Sequence, residues 1–327
     1  MSQGSGVGLV LGGGGSSGAA FHAGTLLALE LDLDWSPDAA DVIVGTSAGS
    51  IVGALVRAGL TTDDIAAWAS AVAPLPAGRP SRTVLDRIES DPFEVRPSPP
   101  RLRVPTRQML ARIVRPGGAR VRTMAMALLP DGWLDARHSL EQLGSLVTAW
   151  PQQALWIPAV RTSDARRIVF GHDHDAPLGE AIAASCAIPG LFRPVNVGTA
   201  RYIDGGAHSP TNADLLIEAG VDTALVLSPM TGQVPALSRW RPDHIVRARL
   251  RRRLLKECQT LERAGITVHL LEPDARTLGS MGINALDRSR CPRVLRDAFL
   301  ASGTALAAYP ALGQRLRSCA QARAARG

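Results

Sequence analysis

Ser47 stands at the centre of Gly45-Thr46-Ser47-Ala48-Gly49, and Asp204 opens Asp204-Gly205-Gly206. A serine hydroxyl attacks a carbonyl only when a neighbouring group takes its proton, and a carboxylate held in an apolar pocket binds protons more tightly than one in water. The charge that then builds on the carbonyl oxygen needs N–H donors already aimed at it. Gly12-Gly13-Gly14-Gly15-Ser16-Ser17-Gly18 offers such donors without side chains in the way. These residues together point to acyl transfer. Ser47 is the candidate nucleophile and Asp204 the proton acceptor. The backbone of Gly13, Gly14, Gly15 and Ala48 is the candidate oxyanion hole, and Gly18, Gly45, Gly49, Gly205 and Gly206 shape the turns.

Such a site needs particular elements around it. Asp41–Val44 has strand character and runs into the serine turn, after which Ile51, Val52, Ala54, Leu55 and Ala58 follow at helical spacing. Strand, tight turn and helix in that order are the setting of a nucleophile elbow. Val7–Leu11 reads as another buried strand, followed by the glycine run and a helix over Ala19–Glu30. Neighbouring strand-to-helix turns lie together at the carboxyl edge of a parallel sheet, so one can supply the serine and the other the N–H groups. Arg201–Asp204 reads as the strand that delivers the carboxylate. The remaining pattern predicts helices over Thr61–Ser70, Thr106–Leu129, Ser139–Trp150, Leu178–Cys186, Asn212–Ala219 and Leu286–Leu312. It also predicts a hairpin of Trp156–Val160 with Ile168–Gly171, and strands over Thr223–Ser228 and Ile266–Leu271. The expected fold is a three-layer α/β/α sandwich with a mostly parallel central sheet. It forms a single domain over 1–312, with a proline-rich insertion at about 74–135 that is either a cover for the site or a surface excursion. A basic tail, frayed from Arg315, occupies 313–327.

Other chemistries compete for the same residues. Gly13, Gly15 and Gly18 also satisfy GxGxxG, but a dinucleotide site wants an acid at the end of the second strand, and that strand ends in Val44-Gly45-Thr46-Ser47. A non-catalytic nucleotide- or phosphate-binding protein on the same loop stands as an alternative. So does an esterase with a Ser-His-Asp triad, for which His208, His244 and His269 are available after Asp204. His172-Asp173-His174-Asp175 invites a metal, but adjacent alternation in a loop seldom converges on one ion, and no metal site is assigned.

Composition narrows the class. Hydrophobic residues make up 46% and charged residues 20% of the 327-residue chain, as in soluble globular proteins. No apolar run reaches the ~20 residues of a bilayer span, and Met1–Ser5 lacks the start of a secretion signal, so a cytoplasmic protein is expected. Cys186, Cys258, Cys291 and Cys319 are widely spaced and read as reduced thiols. The net charge of +7 is arginine charge, Lys256 being the only lysine, and it concentrates in residues 239–263. That stretch is either a solvated helix or a peripheral contact for an anionic membrane surface. With 4% aromatic residues, stacking platforms for nucleic acid are not expected.

Gly13-Gly14-Gly15-x-x-Gly18, Gly45-Thr46-Ser47-Ala48-Gly49 and Asp204-Gly205-Gly206, in that order, resemble the motifs of the patatin-like phospholipases, in particular their bacterial members. The resemblance extends through Ala183–Gly190 and Asn212 and covers most of residues 7–230. It implies a Ser-Asp dyad without histidine, made of Ser47 and Asp204, with the backbone of Gly13, Gly14 and Gly15 as oxyanion hole. It implies cleavage of lipid acyl esters, such as those of phospholipids or lysophospholipids, through a covalent acyl-enzyme and without a cofactor. The family usually carries a basic residue just before the last glycine of the first motif. Here Ser17 takes that place, which bears on how an anionic head group or the loop itself is held.

Overall fold

The computed structural model describes residues 6–70, 96–97, 121–135, 150–232, 242–307 and 309–324. Its strands are β1 (Val7–Leu11), β2 (Val42–Gly45), β3 (Arg96–Pro97), β4 (Leu134–Asp135), β5 (Ala154–Arg161), β6 (Arg167–Phe170), β7 (Val195–Val197), β8 (Ala200–Asp204), β9 (Thr223–Leu227) and β10 (Thr267–Leu271). Its α-helices are α1 (Gly15–Leu33), α2 (Ala48–Arg57), α3 (Thr62–Ser70), α4 (Val121–Ala127), α5 (Leu178–Ser185), α6 (Pro242–Arg263), α7 (Ala275–Met281), α8 (Cys291–Ala307) and α9 (Pro310–Ala324).

The main sheet runs β10-β9-β1-β2-β5-β8-β7, with β6 also paired to β5. From β10 to β5 the pairing is parallel; β8 and β6 pair antiparallel with β5, and β7 with β8. Apolar runs such as Val-Gly-Leu-Val-Leu in β1 follow from this, because strands covered on both faces need no polar side. Alternation sorts their side chains into two cores. Leu9, Leu11, Ile43 and Leu225 meet α1, α2 and α8 on one face. Val10, Val44 and Val226 meet α6 on the other, through Leu254, Cys258 and Leu261. The arrangement is therefore the three-layer α/β/α sandwich expected, with an antiparallel end around β8.

Sequence expectations change at the first helix and at the chain's end, whereas the basic stretch takes the helical form expected of it. The first helix begins at Gly15 rather than Ala19, because the Gly18 N–H bonds to the Gly14 carbonyl at 2.8 Å and closes a turn inside the glycine run. Its cost in glycine flexibility is offset by burial, since α1 is apolar nearly all round and packed on several sides. The chain from Arg315 is helical as far as Ala324 instead of frayed: Leu312, Leu316 and Cys319 form a buried stripe, Arg315 pairs with Asp222, and Arg317 donates to the Leu33 carbonyl. The basic stretch is a helix laid on the sheet by one stripe, with Arg251 paired to Glu272 and Arg253 to Glu257.

Of the insertion, α4 and the β3–β4 pair are described. Met124 and Ala127 of α4 pack on Val160, Ile203 and Ala207, so this part rests on the sheet end that carries Asp204. The expected helix over Ser139–Trp150, like most of 74–120, lies outside the described residues.

The tightest constraint falls at the elbow. A Cβ on Gly49 would sit 1.9 Å from the Leu11 carbonyl oxygen, which is backbone at the centre of the sheet and cannot yield. Gly49→Ala is expected to cost at least about 3 kcal/mol, read as a lowered denaturant midpoint.

Candidate active site

β2 ends at Gly45 and α2 begins at Ala48, which leaves two residues to reverse the chain. Ser47 takes φ 53° and ψ −121°, a backbone state that L side chains rarely adopt and that costs about 1–3 kcal/mol. Hydrogen bonds hold it there. The Ser47 N–H donates to the Ser185 hydroxyl at 3.0 Å, and that hydroxyl donates to the Pro158 carbonyl at 2.8 Å. The Ser47 carbonyl accepts from the Ser50 hydroxyl at 2.7 Å and from the Ser50 N–H at 2.8 Å. Ser185 thus joins α5, β5 and the elbow. Ser185 lies in the Ala183–Gly190 stretch of the family resemblance, but its role is not local, because its partners lie 138 and 27 residues away.

Asp204 is the last residue of β8, opposite Ala159 of β5. Its N–H is tied to the Ala187 carbonyl at 2.8 Å, and its Oδ1 accepts from the Gly206 N–H at 2.6 Å. The turn that follows needs Gly205, since a Cβ there would meet the Pro158 carbonyl oxygen at 2.3 Å. The Ser47 side chain comes near enough to the Asp204 carboxylate to act on its proton, across 157 positions of sequence (204 − 47). Burial raises the Asp204 pKa to about 6, and the bond from the Gly206 N–H and the nearby Ser47 hydroxyl pull against that rise. Cys186 touches Ser47 and Ser50, but burial and the Asp204 charge push its thiol far up and keep it protonated.

The glycine loop comes to the same place. A Cβ on Gly13 would lie 3.3 Å from the Ser47 Cβ. The Gly13 N–H itself donates to the Pro210 carbonyl at 2.8 Å, which distinguishes it from the other expected oxyanion donors. Gly14, Gly15 and Ala48 stand at the starts of α1 and α2, where a helix has no internal acceptor for its N–H groups. Beneath the loop His22, fully buried, lies with Nε2 2.6 Å from the Gly12 carbonyl. Burial lowers its pKa to about 4, so the ring is neutral, and because a carbonyl only accepts, Nε2 carries the hydrogen. Sequence reasoning passed over His22. Its place in the apolar α1, seven residues beyond Gly15 and so on the same face two turns on, is the signal that was there to read.

A buried polar network binds the serine and aspartate turns. The Asn212 amide donates to Thr46 Oγ1 at 3.1 Å, to the Ser209 carbonyl at 2.6 Å and to the Gly205 carbonyl at 3.4 Å. Glu257 of α6 accepts from the Ser209 and Thr211 hydroxyls at 2.9 and 2.8 Å. The loop that receives the Gly13 N–H is therefore anchored on the opposite helical layer.

The other sequence candidates go elsewhere. His269 is on the edge strand β10 against Tyr309, and His244 faces Asp243 at 3.6 Å. His208 follows the turn after Asp204, and its N–H bonds to the Gly205 carbonyl. The groups acting on the Asp204 proton include no imidazole. His172 meets Trp156 edge-to-face and faces Glu218, whereas His174 faces Asp173, and no cluster of three metal-ligating side chains occurs among the described residues. No described helix is long and apolar enough to cross a membrane.

A family model for patatin-like phospholipases matches residues 9–217, which takes in β1, the elbow and the Asp204 turn. The chain belongs to the patatin-like phospholipase family. Membership places it among lipid acyl hydrolases. Of solved structures, this patatin-like chain is similar to VipD from Legionella pneumophila, at 12% identity and a TM-score of 0.45, over 94% of this chain and 67% of that one. It is also similar to the type III effector protein ExoU, at 18% identity and a TM-score of 0.39, over 94% of this chain and 53% of that one. It thus spans little more than half the length of ExoU. No curated protein matches it.

The raised Asp204 pKa has a consequence for stability. Between the ordinary carboxylate pKa and about 6 the folded protein holds a proton that the unfolded chain has lost, so stability falls as pH rises through that window. Asp204→Asn removes the penalty. It is expected to be more stable than the parent at pH 8 by on the order of 2–3 kcal/mol, with the gain vanishing toward pH 4, in denaturant titrations across pH.

Proposed function

We propose that this protein hydrolyses an acyl ester of a phospholipid or lysophospholipid through a Ser47–Asp204 dyad and a covalent acyl-enzyme. The observation that carries the reading is the buried Asp204 carboxylate, its pKa raised to about 6 by burial, with the Ser47 hydroxyl near enough to act on its proton. Such a carboxylate is ionised at neutral pH, yet takes a proton more readily than one in water. Ser47 Oγ attacks the ester carbon as its proton passes to Asp204. The oxyanion is met by N–H groups of Gly14, Gly15 and Ala48 at the positive ends of two helices. The tetrahedral adduct collapses, and the leaving alcohol takes the proton from Asp204. Water then gives a proton to the freed carboxylate and attacks the acyl carbon, and Ser47 leaves with that proton. The Ser17 position supplies no cation to this scheme. A peripheral contact with anionic lipid is read from the exposed Arg249, Arg252 and Lys256 of α6.

A fluorophosphonate probe is expected to label Ser47, and labelling to vanish in Ser47→Ala. Asp204→Asn should remain folded and lose roughly 10²–10⁴ in kcat on a short-chain ester. In the parent, kcat/KM should rise through about pH 6 as Asp204 deprotonates. Near-normal turnover of Asp204→Asn would exclude this carboxylate as the base.

A further inference from the structure

β1 leads into α1 on one face of the sheet and β9 is followed by α6 on the other, although the two strands are parallel neighbours. In open α/β sheets, ligands bind at the carboxyl ends of strands where the chain departs to opposite faces. Ser47 follows β2, whose helix lies on the same face as α1, so Ser47 itself does not stand in that crevice, although Gly14 of the proposed oxyanion hole borders it.

A cavity of about 300 Å³ does. Gly14 and Ser17 from the β1 side, and Pro229 and Met230 from the β9 side, line it together with Arg247 and Met281; neither Ser47 nor Asp204 does. The Ser17 hydroxyl is 1% exposed and has no hydrogen-bond partner among the described residues, an expense that proteins seldom leave unrelieved. The guanidinium of Arg247 is fixed in the wall by bonds from Nη1 to the Pro229 and Thr231 carbonyls at 2.8 and 3.2 Å. Carbonyls orient that charge but do not cancel it. Asp243 also lines the cavity and faces His244, so one carboxylate stands against one guanidinium. The start of the 19-residue α1, with no acidic residue in its first turn, tips the balance positive. The rim is apolar and exposed: Ile283 is 75% and Val246 49% accessible.

We propose that this crevice binds an amphiphile with an oxyanion head and an aliphatic tail. The head sits on Arg247 and the Ser17 hydroxyl, and the tail runs along Met230, Met281 and Ile283. A fatty-acid carboxylate and a lipid phosphate share this chemistry. The site shares Gly14 with the proposed oxyanion hole but uses neither Ser47 nor Asp204.

The test uses the full chain carrying Ser47→Ala, so that nothing turns over, and measures calorimetric binding of decanoate, decyl phosphate and decanol. At least one anion should bind, and decanol at least about tenfold more weakly. Tighter decanoate assigns the site to fatty acids, and tighter decyl phosphate assigns it to phosphate-bearing lipids. Arg247→Gln should weaken the anion by about tenfold or more, and Ser17→Ala by about threefold to tenfold. Ile283→Asp changes only an exposed side chain, so it folds even if Arg247→Gln does not, and it too should cut anion binding by about tenfold. Decanol binding as tightly as the anions, no anion binding, or anion binding unmoved by Ile283→Asp would overturn the proposal. Fluorophosphonate labelling of Ser47 in the parent reports on the dyad alone, so the two readings fail separately.

Discussion

A carboxylate buried at the end of a strand, with burial as the dominant influence on its proton affinity, is the feature from which the rest of this site follows. Asp204 has the Gly206 N–H and the Ser47 side chain to offset its lost hydration. One hydrogen bond and a nearby hydroxyl leave much of that loss uncompensated, and the group responds by holding its proton more firmly. The surroundings must be rigid for such a group to persist. That rigidity comes from close backbone contact, with Gly205 on Pro158 and Gly49 on Leu11, where side chains would intrude.

The polar network around the two turns is the second source of rigidity. Asn212 reaches the residue before Ser47 and the residue after Asp204 with one amide. Ser185 ties the strained serine to β5, the strand against which β8 pairs. Because these groups are buried, each unmade bond would cost the full desolvation of its partner. The geometry between hydroxyl and carboxylate is thus set by groups that never touch either. His22 extends the same logic to the glycine loop, where neutrality lets a buried imidazole serve as a donor without bringing in a charge.

The two helical layers have different duties. α1 begins two residues beyond Gly13, which lies against Ser47, and α2 begins at the residue after Ser47. α6 approaches from the opposite face, anchoring the Ser209–Thr211 loop through Glu257 and closing the crevice between β1 and β9 with Arg247. On charge alone this helix reads as a surface for anionic partners, yet Arg247, Arg251 and Arg253, three of its six arginines, are half-buried and bonded to the fold.

Sequence by itself determined the pieces whose signals are local. Unbroken apolar runs marked β1, β2 and β9, and Gly-x-Ser-x-Gly between a strand and a helical pattern marked the elbow. Asp204 before two glycines marked a strand end with a turn. The helical tail from Arg315 was misread because its partners, Asp222 and Leu33, are remote in sequence and its apolar stripe is narrow. Only the fold shows that Asp204 is buried near Ser47, that the Gly13 N–H is taken by Pro210, and that His22 and Glu257 brace the loops around them. The reason is physical. Turn and strand preferences depend on a few adjacent residues, whereas hydrogen bonds and desolvation depend on what the folded chain brings near, and here the partners are tens to hundreds of positions apart.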